Sequence, residues 1–274
     1  MTIALGLMAR DGLVIAADTE ETRGNMKVHR GKLSSVFSAV QDSGETRFRQ
    51  CVVAGAGDGT NIDGISQKLI RCVYDGEAKS DNEISNDFER IHQEFYGAHV
   101  LPFALYPEEQ RPDFELLIGV QLPDLRLLLA RGNTLIDAGS CAAIGIGTIV
   151  ADQYLSRFYR LPLLDVCGTV FLASYIMCNV KDSVVGCGKA TDIVGVVGMK
   201  NGRFFRVARN EAAKMEEAMR EFGTHVEPAL FREIGGIDSA QERESGRKAR
   251  LKLRRIMNGI RATLKPLKPP RARH

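Results

Sequence analysis

The opening eighteen residues constrain this chain most. Two short apolar runs, one on each side of Asp11-Gly12, read Ile-Ala-Leu-Gly-Leu-Met-Ala and Leu-Val-Ile-Ala-Ala. An Asp-Gly step between β-prone runs predicts a tight hairpin, because glycine tolerates the positive φ that such turns need. The chain is therefore expected to begin on a strand and fold straight back on itself. Removal of Met1 would free an α-amine beside the Thr2 hydroxyl, which makes a nucleophile with a base candidate attached.

The 274 residues suffice for one large domain or two small ones. A hydrophobic fraction of 44% and a charged fraction of 26% are ordinary for a globular protein. No apolar run is long enough to span a bilayer. Arg10 and Asp11 interrupt the start, which also lacks the basic flank and long apolar core of a signal peptide. These features predict a cytoplasmic protein with no membrane partner. The six cysteines are scattered without a Cys-x-x-Cys pair and have apolar neighbours, so they read as buried thiols rather than zinc or redox motifs. The five histidines are dispersed, and no metal or cofactor is expected. The net charge of +3 hides a split: residues 241–274 carry +10, leaving −7 on residues 1–240.

Hydrophobic periodicity divides the rest. Residues 19–31 are polar and read as a loop, followed by a short strand at 32–36. Asp42-Ser-Gly-Glu marks a turn, and Cys51-Val-Val-Ala-Gly55 reads as a buried strand. Ile62, Ile65, Leu69 and Val73 fall on one helical face, as do Ile84, Phe88, Ile91 and Phe95 behind a capping box at Ser80–Glu83. Three strands are expected at 114–120, 125–130 and 134–138, separated by Pro123-Asp124 and Gly132-Asn133. Residues 141–147 are punctuated by glycine. A helix over 149–158 precedes a nearly all-apolar one over 164–179. A strand at 192–199 turns at Asn201-Gly202 into 203–207, and Asn210 is the expected N-cap of a helix through Arg220. Strands and helices in blocks imply segregated layers rather than alternating βαβ units.

Thr2, the hairpin ending Val-Ile-Ala-Ala-Asp18, Thr22, Gly24 and Lys32 together resemble the start of a proteasome β-type subunit or its simpler bacterial peptidase relatives, which are N-terminal-nucleophile hydrolases. The resemblance implies an α+β fold, a four-layer αββα sandwich. It covers about residues 2–207, and the expected division is a hydrolase domain at 1–209 and a basic, partly helical extension at 210–274.

The resemblance also implies roles. Thr2 is the nucleophile and its freed α-amine the base, with a reference pKa of about 7.7–8.0. Lys32 stabilises the alkoxide and disfavours protonation of the amine, and Asp18 holds Lys32 in place. Gly55 matches the glycine whose N–H forms the oxyanion hole. Val53 and Thr22 border the substrate pocket, and Asp182 matches a supporting acid. Two hydroxyls typical of such sites are missing: Ile146 stands between Gly145 and Gly147, and Val185 stands before Gly186. The expected substrate is a peptide or unfolded protein, the expected assembly a homo-oligomeric ring, and the accessory partner an ATPase or similar. The basic tail reads either as a solvated extension or as one that docks on an acidic partner.

Other readings fit the same residues. A catalytically silent ring subunit fits the lost hydroxyls, and a non-peptide amide hydrolase fits the same residues. Gly55-Ala-Gly57-Asp-Gly59, with Asp75 further on, resembles a dinucleotide fingerprint. No second apolar strand leads to Asp75, and the order of elements is not βαβ.

Overall fold

The computed structural model describes residues 2–23, 26–29, 31–42, 45–75, 80–107, 111–122, 124–159, 164–199, 202–221, 247–248, 251–252, 254–256, 258–259 and 261–262. In chain order the elements are β1 (Ile3–Ala9), β2 (Gly12–Asp18), β3 (Glu20–Arg23), β4 (Met26–His29), β5 (Leu33–Asp42), β6 (Glu45–Gly57), α1 (Gly59–Tyr74) and α2 (Asp81–His99). After a short 3-10 turn come β7 (Phe114–Leu122), β8 (Asp124–Arg131), β9 (Thr134–Asp137), β10 (Cys141–Gly145), α3 (Thr148–Phe158), α4 (Val166–Ser183), β11 (Thr191–Val197) and β12 (Arg203–Val207). The chain divides into two compact units, Met1–Glu216 and Glu217–His274. The first ends in a helical stretch, α5, over residues 209–216. In the second, residues 217–221 and the described residues between 247 and 262 are helical, and Lys252 Nζ lies 2.7 Å from Glu221 Oε1.

The first unit holds two five-stranded sheets, ordered β10-β1-β2-β11-β12 and β5-β6-β7-β8-β9, and a two-stranded ribbon β3-β4. Every described pairing is antiparallel. Side chains of β1 and β2 (Ala4, Leu13, Ile15, Ala17) meet those of β6, β7 and β8 (Val52, Ala54, Leu117, Leu127) in one buried cluster. A second cluster joins the other face of β6 and β7 (Val53, Leu116, Ile118) to Ile65 and Leu69 of α1 and Ile84 and Phe88 of α2. Burying a side chain such as Phe88 contributes about 1.5–3 kcal/mol. Asp58 caps α1 by accepting from the Asn61 N–H at 2.9 Å, and the Ser80–Glu83 capping box of α2 is formed in both directions. Helix α4 is buried on most sides and packs on β1 and β2, as its all-apolar sequence requires.

The four-layer αββα sandwich of the N-terminal-nucleophile hydrolase type, expected from the block order, is corrected by this topology. The described residues are organised as two large antiparallel sheets plus a separate ribbon. Block order says which segments are strands; it does not say which edges pair. The polar residues after Asp18, read as a loop, close on themselves as β3-β4. Residues 141–145, read only as glycine-punctuated, form β10 and pair with β1, Ile3 opposite Gly145.

The first hairpin forms with a shifted turn. Ala9 pairs with Gly12, so Arg10-Asp11 is the two-residue connection and Gly12 is the first residue of β2. Gly12 is required for close packing: a Cβ there would stand 2.1 Å from the Val196 carbonyl oxygen. Asp11 works outside the turn, its Oδ1 accepting from the Val166 N–H at the start of α4 at 2.8 Å. The last expected hairpin is present as β11 paired with β12, Val197 opposite Arg203; Asn201 of its expected turn lies outside the described residues. Asn210 lies inside the first turn of a helix that starts at 209, so it is not the N-cap.

Candidate active site

Strand β1 starts one residue after Thr2, and β2 ends at Asp18, so the hairpin returns the aspartate to the beginning of the chain. Thr2 and Asp18 are both buried. Asp18 Oδ1 accepts from the Ile3 N–H at 3.2 Å, and Asp18 Oδ2 accepts from the Gly188 N–H at 3.1 Å. Lys32 Nζ donates to Asp18 Oδ1 at 2.7 Å and also to the Glu20 carbonyl. The lysine side chain is 9% exposed and the aspartate not at all, so this ion pair is largely shielded from water.

Gly145, at the end of β10, closes the other side of Thr2. Its φ is +91°, and a Cβ there would stand 2.2 Å from the Thr2 carbonyl oxygen and 3.2 Å from the Ala56 Cβ. The Gly145 N–H donates to Glu115 Oε2 at 3.0 Å, and the other oxygen of Glu115 is paired with Arg131. Glu115 sits beside Ala56 in the β6–β7 ladder. A carboxylate from the second sheet thus holds the strand end that touches Thr2. Sequence reasoning missed this residue. Its signal was a single charge in the otherwise apolar start of Phe-Glu-Leu-Leu-Ile-Gly-Val.

Cys187 is a second group that sequence reasoning missed. Burial and the negative charge of Asp18 push its thiol up to about 11, against the opposing pull of Lys32. It is a buried neutral thiol beside the Asp18–Lys32 pair and one residue before Gly188. Cys187 stands between Gly186 and Gly188, which give no hint of a polar setting.

The remaining expected site residues fall as follows. Gly55 is in β6, where a Cβ would stand 2.3 Å from the Ile62 side chain; its lack of a side chain admits α1. Extending the β5–β6 register by one residue beyond Leu33–Ala54 puts the Gly55 backbone opposite Lys32. Val53 is 1% exposed in the cluster under α1 and α2, on the same face of β6 as Gly55. Thr22 lies in β3, and its side chain is outside the described residues. Asp182 is in the exposed last turn of α4, with its Oδ2 3.7 Å from Cys178 Sγ. Ile146 is 46% exposed and Val185 90% exposed. Among the described residues no group of three or more His, Cys, Asp or Glu could hold a metal ion. No helix among them is long and apolar enough to cross a membrane.

The arrangement defines a fold class: it is the fold of the Anbu, or ancestral beta-subunit, proteins. Anbu from Yersinia bercovieri superposes with a TM-score of 0.63 at 16% identity, over 86% of this chain and 98% of that one. The helical assembly of the Anbu complex from Pseudomonas aeruginosa gives 0.66 at 16% identity, over 86% and 97%. Anbu from Hyphomicrobium sp. strain MC1 gives 0.61 at 16% identity, over 86% and 98%. No protein-family model and no curated protein matches the chain. The resemblance to a proteasome β-type subunit or bacterial proteasome-like peptidase is corrected accordingly, because the structural neighbours are Anbu proteins. Thr2, the hairpin ending at Asp18, Thr22, Gly24 and Lys32 are too few to single out one family.

Proposed function

We propose that this chain hydrolyses peptide bonds with Thr2 as nucleophile, once cleavage before Thr2 frees its α-amine. The observation that carries this reading is the shielded Lys32–Asp18 pair, whose aspartate also holds the Ile3 N–H beside Thr2. A cation fixed at the start of β1 lowers the cost of forming an alkoxide on Thr2 Oγ. The α-amine takes the proton, since a base titrating near neutral pH transfers protons efficiently. The Gly55 N–H is the proposed oxyanion donor and Asp182 a supporting acid. Thr22 and the segment around Val53 border the substrate, a peptide or unfolded chain. The protein is proposed to act as a homo-oligomer, a reading supported by the helical assembly of the similar Pseudomonas aeruginosa complex.

Intact mass and covalent capture test this. Loss of Met1, followed by one-to-one capture by a peptide epoxyketone that needs both amine and hydroxyl, is the expected result. Thr2→Ala abolishes capture and turnover while the protein stays folded. Retention of Met1 on every molecule, or unchanged turnover in Thr2→Ala, overturns the assignment. A silent subunit is the second reading, favoured by the exposed aliphatic side chains of Ile146 and Val185 where hydroxyls would support the amine. A non-peptide amide hydrolase is separated by substrate profiling after capture succeeds.

A further inference from the structure

The underside of Asp18 is made by residues 187–191, and a buried ion pair remote in sequence holds that segment. Gly188 gives Asp18 Oδ2 its N–H. Ala190 presents its carbonyl to the Thr19 N–H at 3.0 Å and to the Thr19 hydroxyl at 3.1 Å. Thr191 then enters β11 directly opposite Asp18. Between them Lys189 adopts φ of 59°, a left-handed conformation that a non-glycine residue keeps only when its surroundings impose it.

Side chains from two helices meet this segment. Lys181 in α4 donates to the Lys189 carbonyl at 3.1 Å and to the Thr191 hydroxyl at 2.9 Å. It also contacts both oxygens of Glu216 in α5, at 2.6 and 2.7 Å. The Thr191 hydroxyl completes the network by donating to Glu216 Oε1. The Lys181 side chain is 4% exposed and that of Glu216 7% exposed. A charge pair this deep costs desolvation and is a poor source of net stability against an apolar pair of similar volume. Its specific effect is geometric: it pins a left-handed residue and the first residue of β11, on either side of Ala190.

We propose that Lys181 and Glu216 are positioning residues that fix the Gly188–Thr191 segment, and through the Gly188 N–H the orientation of Asp18 toward Lys32. The proposal rests on the Thr2 reading for its consequence in catalysis, and on the hydrogen bonds alone for its structural part.

The test uses Lys181→Met, Glu216→Leu and the double variant in the full chain, with Tm, the Gly188 amide resonance and epoxyketone capture of Thr2 as readouts. Each single variant leaves an unpaired buried charge or acceptor and lowers Tm. The double variant regains most of that loss, because both charges are gone. Gly188 amide exchange in the double variant is nonetheless about tenfold faster than in the wild type. Capture slows by up to ~100-fold, the scale of a small misplacement of a catalytic group. A double variant with the wild-type Gly188 resonance, exchange and capture rate overturns the proposal. If a single variant does not fold, the double variant decides. If the wild type is never captured, the Thr2 reading fails, and the Gly188 amide still decides whether Lys181 and Glu216 position the segment.

Discussion

Lys32 Nζ lies 2.7 Å from Asp18 Oδ1, and Asp18 is wholly out of solvent. The two residues come from different elements, the end of β2 and the residue before β5. Asp18 is further tied to Ile3 and Gly188 through backbone N–H groups, so three segments meet on one carboxylate. Lys32 is likewise shared with the Glu20 carbonyl.

Breaking this pair on one side should be costly. Lys32→Met leaves the buried Asp18 with the Ile3 and Gly188 N–H groups but without its lysine partner, and a loss of about 3–5 kcal/mol is expected by urea unfolding. Adding Asp18→Asn to Lys32→Met removes the uncompensated charge and should recover part of that loss. Neither variant should hydrolyse peptides. An unchanged urea midpoint in Lys32→Met would mean that the pair does not form in solution.

Gly145→Ala should disturb Thr2 directly. The new Cβ meets the Thr2 carbonyl oxygen, and φ of +91° is unfavourable for any side chain. A loss of about 1–3 kcal/mol is expected from backbone strain, together with slower capture of Thr2. Gly97→Ala serves as the control. It lies in α2 with nothing within 4 Å of its Cβ position, and should be neutral or stabilising by up to about 1 kcal/mol. Equal effects of the two substitutions on capture would remove Gly145 from the site.

His92 should make the fold sensitive to acid. It is buried, and neither ring nitrogen has a hydrogen-bond partner among the described residues. Burial lowers its pKa below the usual 6.5. The folded state therefore binds fewer protons than the unfolded state once pH falls below 6.5, and stability declines with pH from there downward. His92→Leu should flatten this dependence between about pH 5 and 7. Urea midpoints at several pH values give the comparison, and parallel curves for the two proteins would assign the acid loss elsewhere.

Residue pattern carried much of the local structure. The helical spacing of Ile65, Leu69, Ile84 and Phe88 specifies the faces that α1 and α2 bury, because a 3.6-residue period admits one apolar stripe. Ser80 and Glu83 mark the start of α2, since the exchange of hydrogen bonds between cap and backbone is local. The first hairpin was visible in its two apolar runs, yet its turn was misplaced by one residue. Asp-Gly suggests a turn glycine at positive φ, whereas Gly12 is set by the carbonyl of Val196 in β11, far along the chain, which no local pattern contains. The ribbon β3-β4 was invisible for the opposite reason: without an apolar alternation, polar strands look like loop.

By itself the sequence determined the helices and the apolar strands, their apolar faces and the candidacy of Thr2, Asp18 and Lys32, because these depend on residue type and short spacing. The tertiary structure alone decided that β10 returns to β1, so that Gly145 touches Thr2 and Glu115 can hold it from the other sheet. It alone decided that Lys181 and Glu216 brace the segment under Asp18. Contacts between residues 30 to 170 positions apart arise from strand pairing and helix docking, and their energy depends on distances that the order of residues does not encode.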